Sequence, residues 1–244
     1  ELWAPDPSRF YAVNVGGTRS VLEAARRTGI ERIVYTSSVA TISPGRDEHA
    51  FADPEQVHSH YKRSKILAER VALRDPRVVV VNPSTPIGWG DVRPTPTGKI
   101  ILDFLRGRMP AYVDTGLNLI DVEDVAEGHV LALDRGTAGE RYILGNEDVT
   151  LHHMLKLLAQ ETGRRAPRVR LPLALAFAAG AVSEVVDGRI RHRSPAIPFE
   201  GVRMATTRMF YNSSKARCEL GLPQSPISAA LRKAADWFET NGYR

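Results

Sequence analysis

Only one cysteine, Cys218, occurs in the 244 residues, so no disulfide can form within the chain and no cysteine-built metal cluster exists. Such usage fits a reducing compartment, and a cytoplasmic protein is expected. Long apolar runs are also missing. The longest, Leu171 to Val182, falls short of the roughly 20 residues that cross a bilayer, so a buried or surface-docking helix is expected there and no transmembrane span. No signal-peptide pattern stands at the amino terminus. Aromatics make up 7% of the chain, and none interleaves with the densest arginine group, Arg164, Arg165 and Arg170 with Arg189, Arg191 and Arg193. The net charge of +5 therefore reads as a solvated basic face, compatible with a small anionic ligand but not with a nucleic-acid surface. His58 and His60 are two apart and His152 and His153 adjacent, neither being the helix spacing of a paired metal site, so no metal is expected. Gly-x-Ser-x-Gly is absent, which argues against a serine hydrolase.

What is present is an ordinary globular composition, 43% hydrophobic and 25% charged, long enough for a substantial core in one large domain or two small ones. Apolar spacing from Phe10 predicts a helix with Val21, Leu22 and Ala25 on one side and Gly29 as its stop. Ile33 to Thr36 reads as a strand, Ser43 to Pro54 as a loop, and Tyr61 onward as a helix with Ile66, Leu67, Ala68, Val71, Ala72 and Leu73 on its packing side. The unbroken valines Val78 to Val81 predict a strand covered on both faces. Strand, helix and strand with short connections argue for an α/β fold, a parallel sheet wound by helices. After a loop to Gly98, a helix is expected over 99–106, short strands over 118–120 and 141–144, a helix from Asp121, another capped by Thr150 and stopped by Gly163, and a closing helix from Ser225-Pro226.

The chemistry is concentrated in Tyr61-Lys-Arg-Ser-Lys65. On a helix Lys65 lies one turn beyond Tyr61 and shares its face. A nearby ammonium favours phenolate and brings a tyrosine toward acid–base work near neutral pH. Ser38, at the end of the Ile33 strand, can offer a hydroxyl to the same substrate oxygen. Tyrosine and lysine also meet at this spacing on many solvated helices; it is the order of the parts that carries weight.

That order is Tyr35-Thr-Ser-Ser38, Tyr61-x-x-x-Lys65, Asn82-Pro83-Ser84. It resembles the extended short-chain dehydrogenase/reductases, a superfamily of NAD(P)-dependent epimerases, dehydratases and dihydroflavonol-4-reductase-like enzymes. Asn14-Val-Gly-Gly-Thr18, Asp121-Val-Glu-Asp124-Val-Ala and Arg141-Tyr-Ile-Leu-Gly-Asn146 resemble further family segments, with Asp121 where histidine is usual. Within the superfamily, Asn82 to Gly88 and Pro94 to Gly98 look most like the hopanoid-associated sugar epimerase group. The resemblance implies a Rossmann-type doubly wound parallel sheet over 1–90 and a smaller substrate-binding lobe mainly over 91–244, with 118–145 returning to the sheet. It implies Ser38, Tyr61 and Lys65 as catalytic residues, with Ser37 the fallback for Ser38. Ser37, Tyr61, Lys65, Asn82, Pro83, Ser84 and Thr85 are implied on the cofactor, NAD or NADP. Asn14 would brace the site, and Thr95 and Thr97 either face substrate or a cofactor phosphate or simply form turns.

The first strand, glycine-rich turn and acidic or basic selector of a dinucleotide domain do not occur in the sequence, and about two βαβ units are unaccounted for. Either the chain is a fragment or residues are omitted from it. The second is expected, because a sheet without its central strands exposes an edge; the tight joins near Asp47, Asp75 and Gly188 leave open whether loop residues are omitted there as well. The expected activity is hydride transfer at a carbonyl or carbinol carbon. A nucleotide-sugar epimerase linked to hopanoid biosynthesis is the second reading and a non-catalytic dinucleotide sensor the third. Expected partners are a small ketone, alcohol or nucleotide sugar and, as one option, a second copy in a homodimer.

Overall fold

The computed structural model describes residues 4, 6–190, 202–203 and 205–243. It opens on a helix in three parts, α1 (Ser8–Tyr11), a wide π-type turn at Ala12–Gly16, and α2 (Gly17–Arg27). Gly29, at φ 71°, follows its end, in left-handed backbone that glycine adopts without strain. There follow β1 (Ile33–Thr36), α3 (His60–Ala72), β2 (Val78–Pro83), β3 (Thr85–Ile87), α4 (Pro96–Leu105), β4 (Ala111–Val113), β5 (Gly116–Asp121) and α5 (Val122–Arg135). The chain continues through β6 (Arg141–Leu144), β7 (Glu147–Thr150), α6 (Leu151–Thr162), β8 (Val169–Leu171), α7 (Leu173–Ser183) and α8 (Ile227–Thr240).

β1, β2 and β6 form a parallel sheet in that order. Val78 to Val81 are wholly buried because the strand is covered twice: Val79 and Val81 pack with Val125 and Ala132 of α5, and Val78 and Val80 with Ala72 of α3 and Leu22 of α2. This is the doubly wound arrangement that the valine run predicts. Val21, expected beside Leu22, is instead 67% exposed, since the described sheet reaches only the Leu22 flank of α2.

Of the 118–145 stretch expected in this sheet, Arg141–Leu144 pairs with β2, whereas β5 pairs with β3 and, antiparallel, with β7. The chain leaves the first sheet at Ser84, and β5 follows β3 into a second one. Behind that second sheet Ile101 of α4, Leu155 and Leu158 of α6, and Leu231 and Phe238 of α8 close a separate core around Leu119 and Val149.

Local chemistry sets several boundaries. α4 starts at Pro96, earlier than its apolar spacing suggests, because the Thr95 hydroxyl accepts from Gly98 N–H at 3.1 Å and so caps the helix. Thr150 caps α6 through His153 N–H at 3.1 Å, and Gly163 follows at φ 70°. Ser225 does not cap α8. Its N–H and hydroxyl both donate to the Asp124 carboxylate, at 2.7 and 2.8 Å, since that buried acid has the stronger need for donors. His49 N–H closes a turn on Asp47 and Arg77 N–H one on Asp75, each at 3.1 Å. Gly188 falls in a π-type turn, Glu184–Ile190.

The apolar stretch from Leu171 forms α7, which buries Ala176 and leaves Leu175 and Val182 exposed. No helix among the described residues is long and apolar enough to cross a membrane. Arg164 and Arg170 pair with Glu239 and Asp114, at 2.6 and 2.8 Å; Arg191 and Arg193 lie outside the described residues. Asp124→Ala is expected to cost about 2 kcal/mol, because two Ser225 donors lose their acceptor. Urea unfolding against the wild type checks this, and an unchanged midpoint would show that the contact contributes nothing.

Candidate active site

Ser59 caps α3, accepting from Lys62 N–H at 3.4 Å, and the helix then places Tyr61, Lys65 and Glu69 at four-residue intervals along one side. Its first turn is held from outside. Asn14, in the π-type turn between α1 and α2, donates through Nδ2 to Ser64 Oγ at 2.8 Å, and Ser64 Oγ donates to the Tyr61 carbonyl at 2.8 Å. A π-type turn re-aims side chains that a regular helix would not bring together. The Phe10 ring meets the Tyr61 ring edge-on, with centroids 6.2 Å apart.

The second half of the site is the carboxyl end of the parallel sheet, where open α/β folds receive ligands. Ser37 N–H donates to the Val81 carbonyl at 2.8 Å, and Ser84 N–H to the Leu144 carbonyl at 2.9 Å. This pairing sets Ser37 and Ser38 beside Asn82-Pro83-Ser84. Ser38 opens a 3-10 turn, Val39–Thr41, and its hydroxyl accepts from Ala40 N–H at 3.1 Å. The Tyr61 phenol lies near enough to that hydroxyl for Ser38 to favour its ionised form, so the two expected catalytic hydroxyls come near each other. Lys65, on the same side of α3, donates to the Thr36 carbonyl at 3.3 Å and lies 5.8 Å from the centre of the Tyr35 ring.

The electrostatics differ from the expectation that Lys65 draws the phenol down. Burial pushes the Tyr61 phenol above its usual value, opposed by the bond with Ser38. Burial likewise pulls the Lys65 ammonium below its usual value, opposed by the Glu69 charge. The reason is geometric: the ammonium is turned toward the end of β1, and both groups are partly withdrawn from water. Tyr61 is thus protonated at neutral pH and presents a donor.

Sequence reading missed the layer beneath. Glu69 and Arg141 form an ion pair at 2.7 Å, with their side chains only 1% and 4% exposed. The second Glu69 oxygen accepts from Thr41 Oγ1 at 2.9 Å and from Asn82 Nδ2 at 2.7 Å. Asn82 Nδ2 also donates to the Ser38 carbonyl at 3.1 Å, and Thr41 Oγ1, 2.8 Å from the same carbonyl, shares its one proton between it and Glu69. Arg141 further donates to the Glu48 carbonyl at 2.6 Å and lies over the Phe51 ring at 3.9 Å. The Asn82 side chain therefore points into this layer, away from the sheet end where it is expected on the cofactor. The available signals were Glu69 one turn past Lys65 and an arginine opening an otherwise apolar strand.

Thr95 spends its hydroxyl on its cap and on Asp91, 2.9 Å away, the turn-forming alternative. Thr97 lines a cavity of about 220 Å³ with Ile87, Trp89, Ile101, Val122 and Phe238. Among the described residues no histidine, cysteine and acid cluster fits a metal; His60 bonds Tyr11 at 3.0 Å and His152 stacks on Tyr112 at 4.4 Å. Cys218 is exposed. Two hydroxyls at the sheet end, Ser37 Oγ and Ser84 Oγ, are buried without a partner. Buried polar atoms are ordinarily satisfied, so this pair at the carboxyl end of the sheet suits a polar ligand such as a dinucleotide.

The family description "NAD dependent epimerase/dehydratase family" matches residues 2–145. The chain belongs to this family. Membership agrees with the resemblance to extended short-chain dehydrogenase/reductases and makes the protein an enzyme of a nicotinamide-dependent class. A protein of Synechocystis sp., provisionally named dihydroflavonol 4-reductase, is 49% identical over 255 residues, covering 99% of this chain and 74% of its own length. Sterol demethylase protein B of Methylococcus capsulatus is 33% identical over 246 residues, covering 97% and 75%. The crystal structure of gox2253 superposes with a TM-score of 0.84 at 42% identity, over all of this chain and 76% of that one.

The Lys65 shift has a testable sign. A depressed ammonium pKa means that its burial costs stability in full below the folded-state value and that the cost fades as pH rises toward the unfolded value. Lys65→Met is expected to unfold at a higher temperature than wild type at pH 7, with the gap narrowing by pH 10. Scanning calorimetry of both across that range checks it, and a gap that widens with pH would contradict the direction.

Proposed function

We propose that the protein is an NAD(P)-dependent oxidoreductase of the dihydroflavonol-4-reductase type, transferring hydride at a carbonyl or carbinol carbon. The observation that carries this reading is the convergence at the carboxyl end of β1 of the Ser38 turn and the α3 face that carries Tyr61 and Lys65, with the Lys65 ammonium 3.3 Å from the Thr36 carbonyl. When bound, the nicotinamide supplies or accepts the hydride. Tyr61 gives the proton to the substrate oxygen in reduction, which its protonated state at neutral pH favours, and takes it back in oxidation. Ser38 holds that oxygen beside the phenol. Lys65 would hold the nicotinamide ribose, and its charge would favour whatever negative charge develops on the phenol. Ser37 and Ser84, with the backbone from Asn82 to Thr85, would line the nicotinamide. Residues 1–90 thus form the cofactor side and 91–244 mainly the substrate side.

For substrate we favour a cyclic, largely apolar ketone or alcohol. The names of two relatives refer to a dihydroflavonol and a sterol. The cavity edged by Ile87, Trp89, Ile101 and Phe238 gives an apolar group a place beyond β3, with Thr97 at its rim. Hopanoid biosynthesis in the cytoplasm is the process that the group resemblance suggests. Family membership equally supports a nucleotide-sugar epimerase, in which hydride leaves and returns within one cycle. Tyr61→Phe is expected to lower kcat at least about 100-fold while NADPH or NADH binding, read by fluorescence, changes little; full activity would sink the assignment. Release of oxidised cofactor equal to product is expected, and product formed without net cofactor oxidation would favour the epimerase.

A further inference from the structure

The buried layer beneath the hydroxyls reaches them at the Ser38 carbonyl oxygen. Asn82 Nδ2 donates one proton to it at 3.1 Å and the other to Glu69 at 2.7 Å, while Thr41 Oγ1, 2.8 Å from the carbonyl and 2.9 Å from the same Glu69 oxygen, shares its single proton between the two. Arg141 reaches Glu69 at 2.7 Å and Thr41 Oγ1 at 3.1 Å. Four elements meet here. Glu69 belongs to the helix that carries Tyr61, Ser38 to the turn after β1, and Arg141 and Asn82 to neighbouring strands in register, with Asn82 beside Ile143. A buried ion pair is a poor source of stability, because desolvation offsets most of its attraction, and specifying one arrangement is its better-attested use.

We propose that Glu69 and Arg141, acting through Thr41 and Asn82, are positioning residues that fix the Ser38 turn against α3 and so set the contact between the Ser38 hydroxyl and the Tyr61 phenol. Hydroxyl contact tolerates little displacement, and these bonds tie the Ser38 turn to α3. The Glu69 carboxylate faces two ways on this account. It holds the Ser38 turn, and its charge supports the Lys65 ammonium one turn earlier. The inference rests on the proposed active site but is separable from it.

The test reads the phenol itself. The protein is labelled with 3-fluorotyrosine, whose phenol is more acidic than tyrosine's, and the Tyr61 fluorine signal is identified by its loss in Tyr61→Phe. The titratable groups around that ring are Lys65 and Glu69 on α3, His60 bonded to Tyr11 of α1, Arg63 paired with Glu55, and Tyr35 of β1. Thr41→Val keeps the shape of residue 41 and removes its hydroxyl. It is expected to raise the Tyr61 titration by about half a unit or more, the worth of one hydrogen bond to the phenolate. Ser38→Ala is expected to give the same rise, and Thr41→Val added to Ser38→Ala no more.

Glu69→Gln with Arg141→Met is the second variant. It is expected to unfold near the wild-type temperature, because both charges go together, and yet to keep the raised titration. Recovery of the wild-type titration along with stability would reduce the pair to a packing element and overturn the proposal. A Thr41→Val titration equal to wild type, with Ser38→Ala still raised, would overturn it too. No change in Ser38→Ala would instead fail the contact between Ser38 and Tyr61 on which the active-site reading stands.

Discussion

The geometry of this protein depends on one buried carboxylate. Glu69 on α3 is 1% exposed and faces Arg141 on β6, and an isolated charge at that depth would be untenable. Its two oxygens are therefore committed, one to Arg141 and one to Thr41 and Asn82. Through those partners the first helix after β1, the turn between them and the central strand come into one register. Ser38, Tyr61 and Lys65 hang from that frame. Asn14 secures the same helix from the other side, through Ser64 and the Tyr61 carbonyl. The first turn of α3, which carries Tyr61, is thus braced at two points, which suits the proposed site.

The sheet explains why the site lies where it does. Parallel strands direct their carboxyl ends to one edge, and β1, β2 and β6 deliver Ser37, Pro83 and Leu144 there side by side. The second sheet, β3, β5 and β7, diverges after Ser84 and carries its own core with α4, α6 and α8. The two sheets are therefore separated by one residue of connection, Ser84.

The valines of β2, the helix from Tyr61, the caps at Thr150 and Gly163, and the pairing of Tyr61 with Lys65 on one face are all local facts, and local sequence discloses them. Ser38 and Asn14 became legible through family segments. Glu69 and Arg141 did not, because they are 72 positions apart and a glutamate among Lys65, Arg70 and Arg74 looks like a solvated helix charge. Asn82 misled for a related reason. Its position at the sheet end is right, but its side chain answers a buried acid that the sequence does not place. Ser225 likewise looks like a cap until Asp124 is brought beside it. The sign of the Tyr61 shift was missed because spacing reports proximity, whereas burial and the direction of the Lys65 side chain decide the energy.

The most direct test of the central claim follows the hydride. NADPH and NADH deuterated at the transferring position of the nicotinamide would be given to the protein with a set of cyclic ketones, and the product alcohol examined by mass spectrometry and NMR. The account predicts one deuterium on the carbinol carbon, from one face of the ring carbonyl, in wild type and none above background in Tyr61→Phe. Deuterium transfer undiminished in Tyr61→Phe, or alcohol formed without deuterium, would contradict it.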